Sequence, residues 1–341
     1  MSSYPRPFAP TASPPRAFRL PLERPVTETT TERRGAVTST FAPRDVAVLA
    51  SLAVMWGLSF LFIKVAVDVV APLWIVAARC AVGGLILVVI LRVRGARLPR
   101  GRRIWIDLTI LAALGNALPW GLMAWATQYL PSGLVAVVNA LAPSSTLIIA
   151  ILVGLEAASI RRAVGLVIAL SGTALAVSSS VGSPGTALAA VTVGLATVCY
   201  GAGSVYAKQR VSGTHPPLAI ATGQVLMAAA MSIPVAAVAA PLPVVADITP
   251  AIWGSLLALG VFGTGLAFRA FYTLIASVGA TNTVMVTYLI PVVALLAGAL
   301  VLREPITLVV VAGTALTIFG IWLAQRQRSV SVPEHVTELP R

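Results

Sequence analysis

Apolar residues in this chain run in long unbroken stretches, parted by short polar segments. Stretches free of Asp, Glu, Lys and Arg are Val46–Ile63 (18 residues), Val69–Leu91 (23, interrupted only by Arg79), Leu108–Leu155 (48) and Ala163–Ala207 (45). They continue with Val211–Ala246 (36), Ile248–Leu302 (55, with the single charge Arg269) and Pro305–Gln325 (21). A membrane-spanning helix needs about 20 such residues, roughly 30 Å at 1.5 Å per residue. The 48-residue stretch therefore holds two spans, broken at Leu130–Pro131–Ser132–Gly133, and the 45-residue stretch two more, parted by Gly182–Ser183–Pro184–Gly185. Pro216 and Pro217 confine the next helix to about 217–240, and the 55-residue stretch divides near Ser277–Gly279. The pattern predicts ten transmembrane helices. A β-barrel does not compete, because its strands alternate over about ten residues instead of running continuously apolar.

Composition sharpens this picture. Of 341 residues 58% are hydrophobic and 10% charged, with a mean hydropathy of +0.93. A soluble fold of this length needs far more charge to cover its surface, so an ordinary cytosolic enzyme is excluded. Cys80 and Cys199 fall inside predicted spans and read as small packing residues rather than a disulfide framework.

Charge sets an orientation. Seven basic residues lie in the first 44 positions, and six (Arg92, Arg94, Arg97, Arg100, Arg102, Arg103) fall between spans two and three. Arg161, Arg162, Lys208, Arg210, Arg326, Arg328 and Arg341 fall on the same side if spans alternate, which places 20 of the 24 there. Positive-inside asymmetry puts both termini in the cytoplasm and the chain in the cell (inner) membrane. Basic loops facing anionic lipid account for the net charge of +13 without nucleic acid. Residues 1–45, rich in Pro, Ser, Thr and Arg and lacking a signal-peptide core, read as a disordered cytoplasmic tail, and residues 326–341 as a second tail.

The sequence also matches itself. At an offset of 148, Ile104–Trp105 falls on Ile252–Trp253, Gly115 on Gly263, Trp120 on Phe268, Pro143 on Pro291, Glu156 on Glu304, Gly165 on Gly313 and Gly172 on Gly320. At 144 or 145, Gly57 falls on Gly201, Lys64 on Lys208 and Pro72 on Pro217. Five spans per copy is an odd number, so the second copy enters the bilayer inverted. Secondary transporters use such repeats, because two similar halves give inward-open and outward-open states of similar energy. The expected fold is an all-α polytopic membrane protein, ten transmembrane helices arranged as two inverted five-helix repeats over 46–180 and 186–325.

Particular motifs carry a family resemblance. Trp56–Gly57–Leu58–Ser59–Phe60–Leu61–Phe62–Ile63–Lys64 resembles the start of an EamA domain of the drug/metabolite transporter superfamily. Gln128–Tyr129–Leu130–Pro131–Ser132–Gly133, leading to Asn139–Ala140–Leu141–Ala142–Pro143, is similar to that domain's third and fourth helices, and Thr287–Tyr288–Leu289–Ile290–Pro291 with Leu302–Arg303–Glu304–Pro305 to its second copy. The resemblance covers about 46–325 and departs at Leu155, where Gly often precedes the Glu. It implies ten helices around a central cavity, usually serving export of amino acids, amines, nucleosides or similar metabolites.

Polar residues within the spans are the candidate chemistry, since ionisable groups in lipid are costly. Arg79 and Arg269 are read as buried cations able to hold a carboxylate or phosphate; the competing reading is an Arg that snorkels or caps carbonyls. Trp56, Phe60, Trp120, Tyr200, Phe268 and Tyr272 are candidate walls of a partly apolar pocket, or alternatively helix-packing residues. Asn139, Gln224 and Asn116 are hydrogen-bonders facing substrate or joining helices. Lys64 and Lys208 read as snorkelling span ends, and Glu156 and Glu304 as loop or cap residues. No carboxylate occurs in Val46–Ile63 or Ala187–Ala207, and Asp68 and Asp107 are placed at watery span ends, so only mild dependence on a proton gradient is expected.

With only His215 and His335 as histidines and no Walker loop, no catalytic constellation, metal site, cofactor or ATP coupling is expected. The reading is a secondary transporter exporting a small metabolite. Its partners are a small-molecule substrate and the lipid bilayer, with a homodimer compatible. An uptake carrier of the same fold, or a non-transport scaffold or sensor, is the alternative.

Overall fold

The computed structural model describes residues 42–180, 182 and 185–326. Apart from their innermost residues, the two expected tails lie outside these positions, as do Val181, Ser183 and Pro184 of the central break. Among the described residues nine helices are long and apolar enough to cross a membrane. They are α1 (Pro43–Val67), α2 (Pro72–Val93), α3 (Arg102–Ala126), α4 (Ser132–Leu152), α5 (Ile160–Ser178), α6 (Thr186–Arg210), α7 (Pro217–Ala239), α8 (Pro250–Gly279) and α10 (Leu308–Gln325). The remaining apolar helix, α9 (Val286–Leu302), is shorter, at 17 residues. The chain is a multi-pass membrane protein.

Local sequence explains where these helices start. Proline occupies the first turn of α1, α2, α7 and α8, where the missing N–H costs nothing. The side chains of Ser159, Thr249 and Thr307 accept from Arg162 N, Ile252 N and Val310 N, capping α5, α8 and α10. The amino end of α4 is capped from a distance: the Glu304 carboxylate accepts from Ser132 N (2.8 Å), Ser132 Oγ (2.9 Å) and Gly133 N (3.3 Å). Arg303 brings the carboxylate there by adopting a left-handed conformation (φ 57°) at the end of α9, a backbone state that costs a non-glycine residue about 1–2 kcal/mol. The cap role expected of Glu304 is thus a tether between α9 and α4.

Two helices are interrupted where the pattern predicts continuous spans. Ala113–Ala117 in α3 and Val261–Leu266 in α8 are π-helical turns. They occupy corresponding positions at the 148 offset. The break expected near Ser277–Gly279 falls at Gly279, whose φ of 82° ends α8.

α5 and α10 make the most intimate contact. A Cβ at Gly172 would lie 2.5 Å from Thr317 N, and one at Gly313 would lie 2.5 Å from Ala176 N. Gly165 and Gly320 sit equally close to the facing backbone. Only glycine permits this approach, which in lipid supplies the dispersion energy that water would otherwise drive. A central cluster including Phe60, Trp120, Leu134 and Val286 fills the middle of the bundle. Smaller clusters close its ends. At the end where α1 finishes, Ile63, Val67, Ile75, Ala124, Ile252 and Leu259 pack together. At the end where α3 begins, Ile104, Leu108, Leu111, Val211 and Ile220 do so.

Candidate substrate site

Arg79 sits one-third of the way along α2 and is 5% exposed. Its Nε donates to Thr264 Oγ1 (3.0 Å) and its Nη2 to the Gly263 carbonyl (3.1 Å), while the guanidinium lies 3.8 Å from the centre of the Trp120 ring. Thr264 and Gly263 belong to the π-turn of α8. The Thr264 hydroxyl in turn donates to Leu259 O (3.1 Å), five residues earlier. A π-turn displaces the usual carbonyl partners and presents them sideways, and such turns recur at functional sites. Here the turn offers two acceptors to a cation entering from α2.

The same arrangement occurs once more. Gln224 on α7 donates through Nε2 to Asn116 Oδ1 (2.6 Å) and reaches Leu111 O (3.4 Å) in the π-turn region of α3. Gln224 corresponds to Arg79 at the 145 offset, and Asn116 and Leu111 correspond to Thr264 and Leu259 at 148. The preceding glycines correspond but pack differently: a Cβ at Gly115 would lie 2.8 Å from Gln224 Nε2, whereas one at Gly263 would lie 2.6 Å from Ser59 Oγ and 3.8 Å from Arg79 Nη2. One clasp is charged and the other neutral. Asn116 is fully buried, and its amide nitrogen has no partner.

The aromatic candidates are linked to Trp120, the ring on which Arg79 stacks. Trp56, Phe60, Trp120, Tyr200 and Phe268 all belong to or pack against the central cluster. Tyr272 joins through Phe268 (ring centres 6.4 Å apart) and Phe271 (5.5 Å), and Phe271 in turn meets Trp56 at 5.4 Å. Asn139 lies where α4 breaks into a turn, and its buried Oδ1 has no partner.

Arg269 does not join them. Its side chain is exposed, so the expectation of a buried cation there fails. Phe268 faces the interior, and the next residue on a helix is turned about 100° away. Two other expectations change. Lys64 is half-buried and donates to the Thr127 carbonyl at the end of α3 (2.8 Å), so it caps a helix instead of snorkelling. Asp107 is 5% exposed and accepts from the Tyr206 hydroxyl (2.6 Å), so it is not in the watery position expected. Glu156 lies in its loop, paired with Arg162 (3.1 Å). Sequence reading also missed Thr264 and Gly263 as partners of Arg79. The signal was present, because the 145 offset that pairs Pro72 with Pro217 also pairs Arg79 with Gln224.

A groove of about 550 Å³ lined by Tyr288, Ala315, Ile318, Phe319 and Trp322 opens on the α9–α10 side. None of its lining residues belongs to the Arg79 site.

Comparisons with known proteins agree with the fold. A model of the EamA-like transporter family matches residues 45–178 and again 187–325. An uncharacterized transporter of Archaeoglobus fulgidus is 30% identical over 295 residues, covering 82% of this chain and 98% of that one. The uncharacterized transporter YvbV of Bacillus subtilis is 26% identical, covering 86% and 98%, and the uncharacterized inner membrane transporter YedA of Escherichia coli is 28% identical, covering 73% and 80%. One crystal structure shares the fold with a TM-score of 0.62 at 18% identity, over 82% of this chain and 96% of its own.

Proposed function

The chain belongs to the EamA-like transporter family, and from that premise we propose that it is a secondary carrier exporting a small metabolite across the inner membrane by alternating access. Export is the direction the family resemblance implies. Ten spans arranged as two inverted five-helix repeats, 46–180 and 186–325, with both termini cytoplasmic, form its framework. The single observation that carries this reading is the doubling of contacts between the two copies: two π-turns, two clasps, and two end clusters built from corresponding residues.

A carrier must open one end while the other stays shut. The cluster around Ile63, Ile252 and Leu259 closes one end, and the cluster around Ile104, Leu111 and Ile220 closes the other. Corresponding residues supply both, so the two closed arrangements have similar energies and a few kcal/mol of differential contact shifts the balance. Between them, Trp56, Phe60, Arg79, Trp120, Asn139, Tyr200, Gln224, Phe268 and Tyr272 form the substrate layer. Aromatic walls with a few convergent polar groups are the usual make-up of a small-molecule site.

Flux in proteoliposomes tests the reading. Counterflow of labelled metabolites from a broad panel should be saturable and lost in Arg79→Ala at normal folded yield; absence of flux and binding across the panel would favour a scaffold. Reporter fusions at Gly95 and Gly182 should read inside and outside, and an outside reading at Gly95 would overturn the orientation.

A further inference from the structure

We propose that Arg79 is an exchangeable seat for one carboxylate: a monoanionic substrate with an apolar or aromatic body displaces Thr264 and the Gly263 carbonyl from the guanidinium, and so releases α2 from the π-turn of α8. For the steps after binding, the proposal rests on the carrier reading.

The electrostatics lead there. Arginine keeps its charge under all physiological conditions. Burying a cation is expensive unless an anion compensates it, yet the one salt bridge among the described residues is Arg162–Glu156, outside this layer. Among the described residues Arg79 meets neutral groups: the Thr264 hydroxyl, the Gly263 carbonyl and the Trp120 face, with the Tyr200 hydroxyl and the Cys80 thiol nearby. The Nε and Nη2 groups that contact Thr264 and Gly263 form one planar fork, which matches the two oxygens of a carboxylate. The present bonds pair the charged guanidinium with neutral dipoles, whereas a carboxylate adds a full opposite charge and a bidentate fit, so an entering carboxylate outcompetes both partners on the same edge. Stacking on Trp120 covers a face of the guanidinium and leaves that edge geometry intact.

Charge count sets the class. The nearest alternative cations are occupied or absent from the layer: Lys64 is committed to the Thr127 carbonyl, and Arg269 is exposed. One buried positive charge balances one negative charge, whereas a phosphate monoester brings about 1.5–2 and leaves an excess in an apolar layer. The aromatic cluster that includes Trp120, the ring under Arg79, suits an apolar body. The neutral clasp, Gln224 on Asn116, has no such preference for an anion, so substrate loosens one of the two matched contacts and leaves the other.

The test uses the full chain in lipid nanodiscs, with phenylacetate, phenethylamine and phenyl phosphate titrated against tryptophan fluorescence. Phenylacetate should saturate, phenyl phosphate should bind at least tenfold more weakly, and phenethylamine should not saturate. Arg79→Gln should weaken phenylacetate at least tenfold, Arg79→Lys should restore part of it, and Arg79→Gln with Gln224→Arg should regain binding at the matched position. The wild-type ligand series stands even if a variant fails to fold. Equal binding of the amine, a phosphate preference, phenylacetate binding indifferent to Arg79→Gln, or no saturable probe would each overturn the proposal. Arg79-dependent binding without flux in liposomes would instead keep the seat and defeat the carrier reading; saturable flux with no carboxylate preference would do the reverse.

Discussion

The two ends of the bundle are built from corresponding residues and have diverged in one respect. At the end closed by Ile63, Ile252, Leu256 and Leu259, the position matching Asp107 is Ser255, whose hydroxyl donates only to Ala251 of its own helix (2.8 Å), and the position matching Tyr206 is Phe62. At the other end Asp107 and Tyr206 join α3 to α6 through a 2.6 Å hydrogen bond. The clasps in the middle diverge similarly, with Arg79 on one side and Gln224 on the other. Apolar packing has been kept in both halves while the polar contacts differ between them. The difference shows where asymmetry enters a duplicated fold: in the few interhelical hydrogen bonds, not in the core.

The shared framework should show the largest effects and no difference between halves. Gly320→Leu and Gly165→Leu each push a side chain into facing backbone between α5 and α10, which cannot yield as a side chain does. Each should cost about 3 kcal/mol, read as a loss of folded yield and of thermal stability in detergent. A mild result for one glycine and a severe one for the other would break the equivalence.

The ends should differ. Asp107→Ala leaves the Tyr206 hydroxyl without its acceptor in a half-buried site and should destabilise by about 1–3 kcal/mol. Ser255→Ala removes only a bond within α8 and should fall within about 0.5 kcal/mol of wild type. Similar melting shifts for the two would remove the proposed difference between ends.

Smaller effects sharpen the comparison of the clasps and lysines. Gln224→Leu orphans Asn116 Oδ1 and should cost about 1 kcal/mol, within the range of interhelical bonds in lipid. Lys64→Met removes the donor to Thr127 O and should cost about 0.5–1 kcal/mol. Its exposed counterpart Lys208 should tolerate the same change with no measurable shift in the unfolding midpoint.

Much of the fold was legible because lipid imposes a simple rule. Every buried backbone group must be satisfied within its own helix, so length and apolarity mark the spans. Val69–Leu91 and Pro72–Val93 nearly coincide for that reason. The π-turns at Ala113–Ala117 and Val261–Leu266 were not legible, since one added residue per turn leaves hydropathy unchanged. The pairing of Trp120 with Phe268 was readable from the repeat offset. The contacts within the site were not: Arg79 and Arg269 look alike as lone charges in apolar runs, and only the rotation of α8 separates a buried clasp from an exposed side chain. Asp107 misled for a related reason, because its distance from the helix end says nothing about which face it occupies.

Alternating access requires the two end clusters to open in turn. Spin labels on single cysteines at Val67 and Ile252 would span one end, and at Ile104 and Val211 the other, each pair in a background lacking Cys80 and Cys199. Pulsed electron–electron distance measurements in nanodiscs should give two distances at each end, with the long-distance fraction rising at one end as it falls at the other when a transported metabolite is added. A single distance at both ends, or two populations that change independently, would contradict the account.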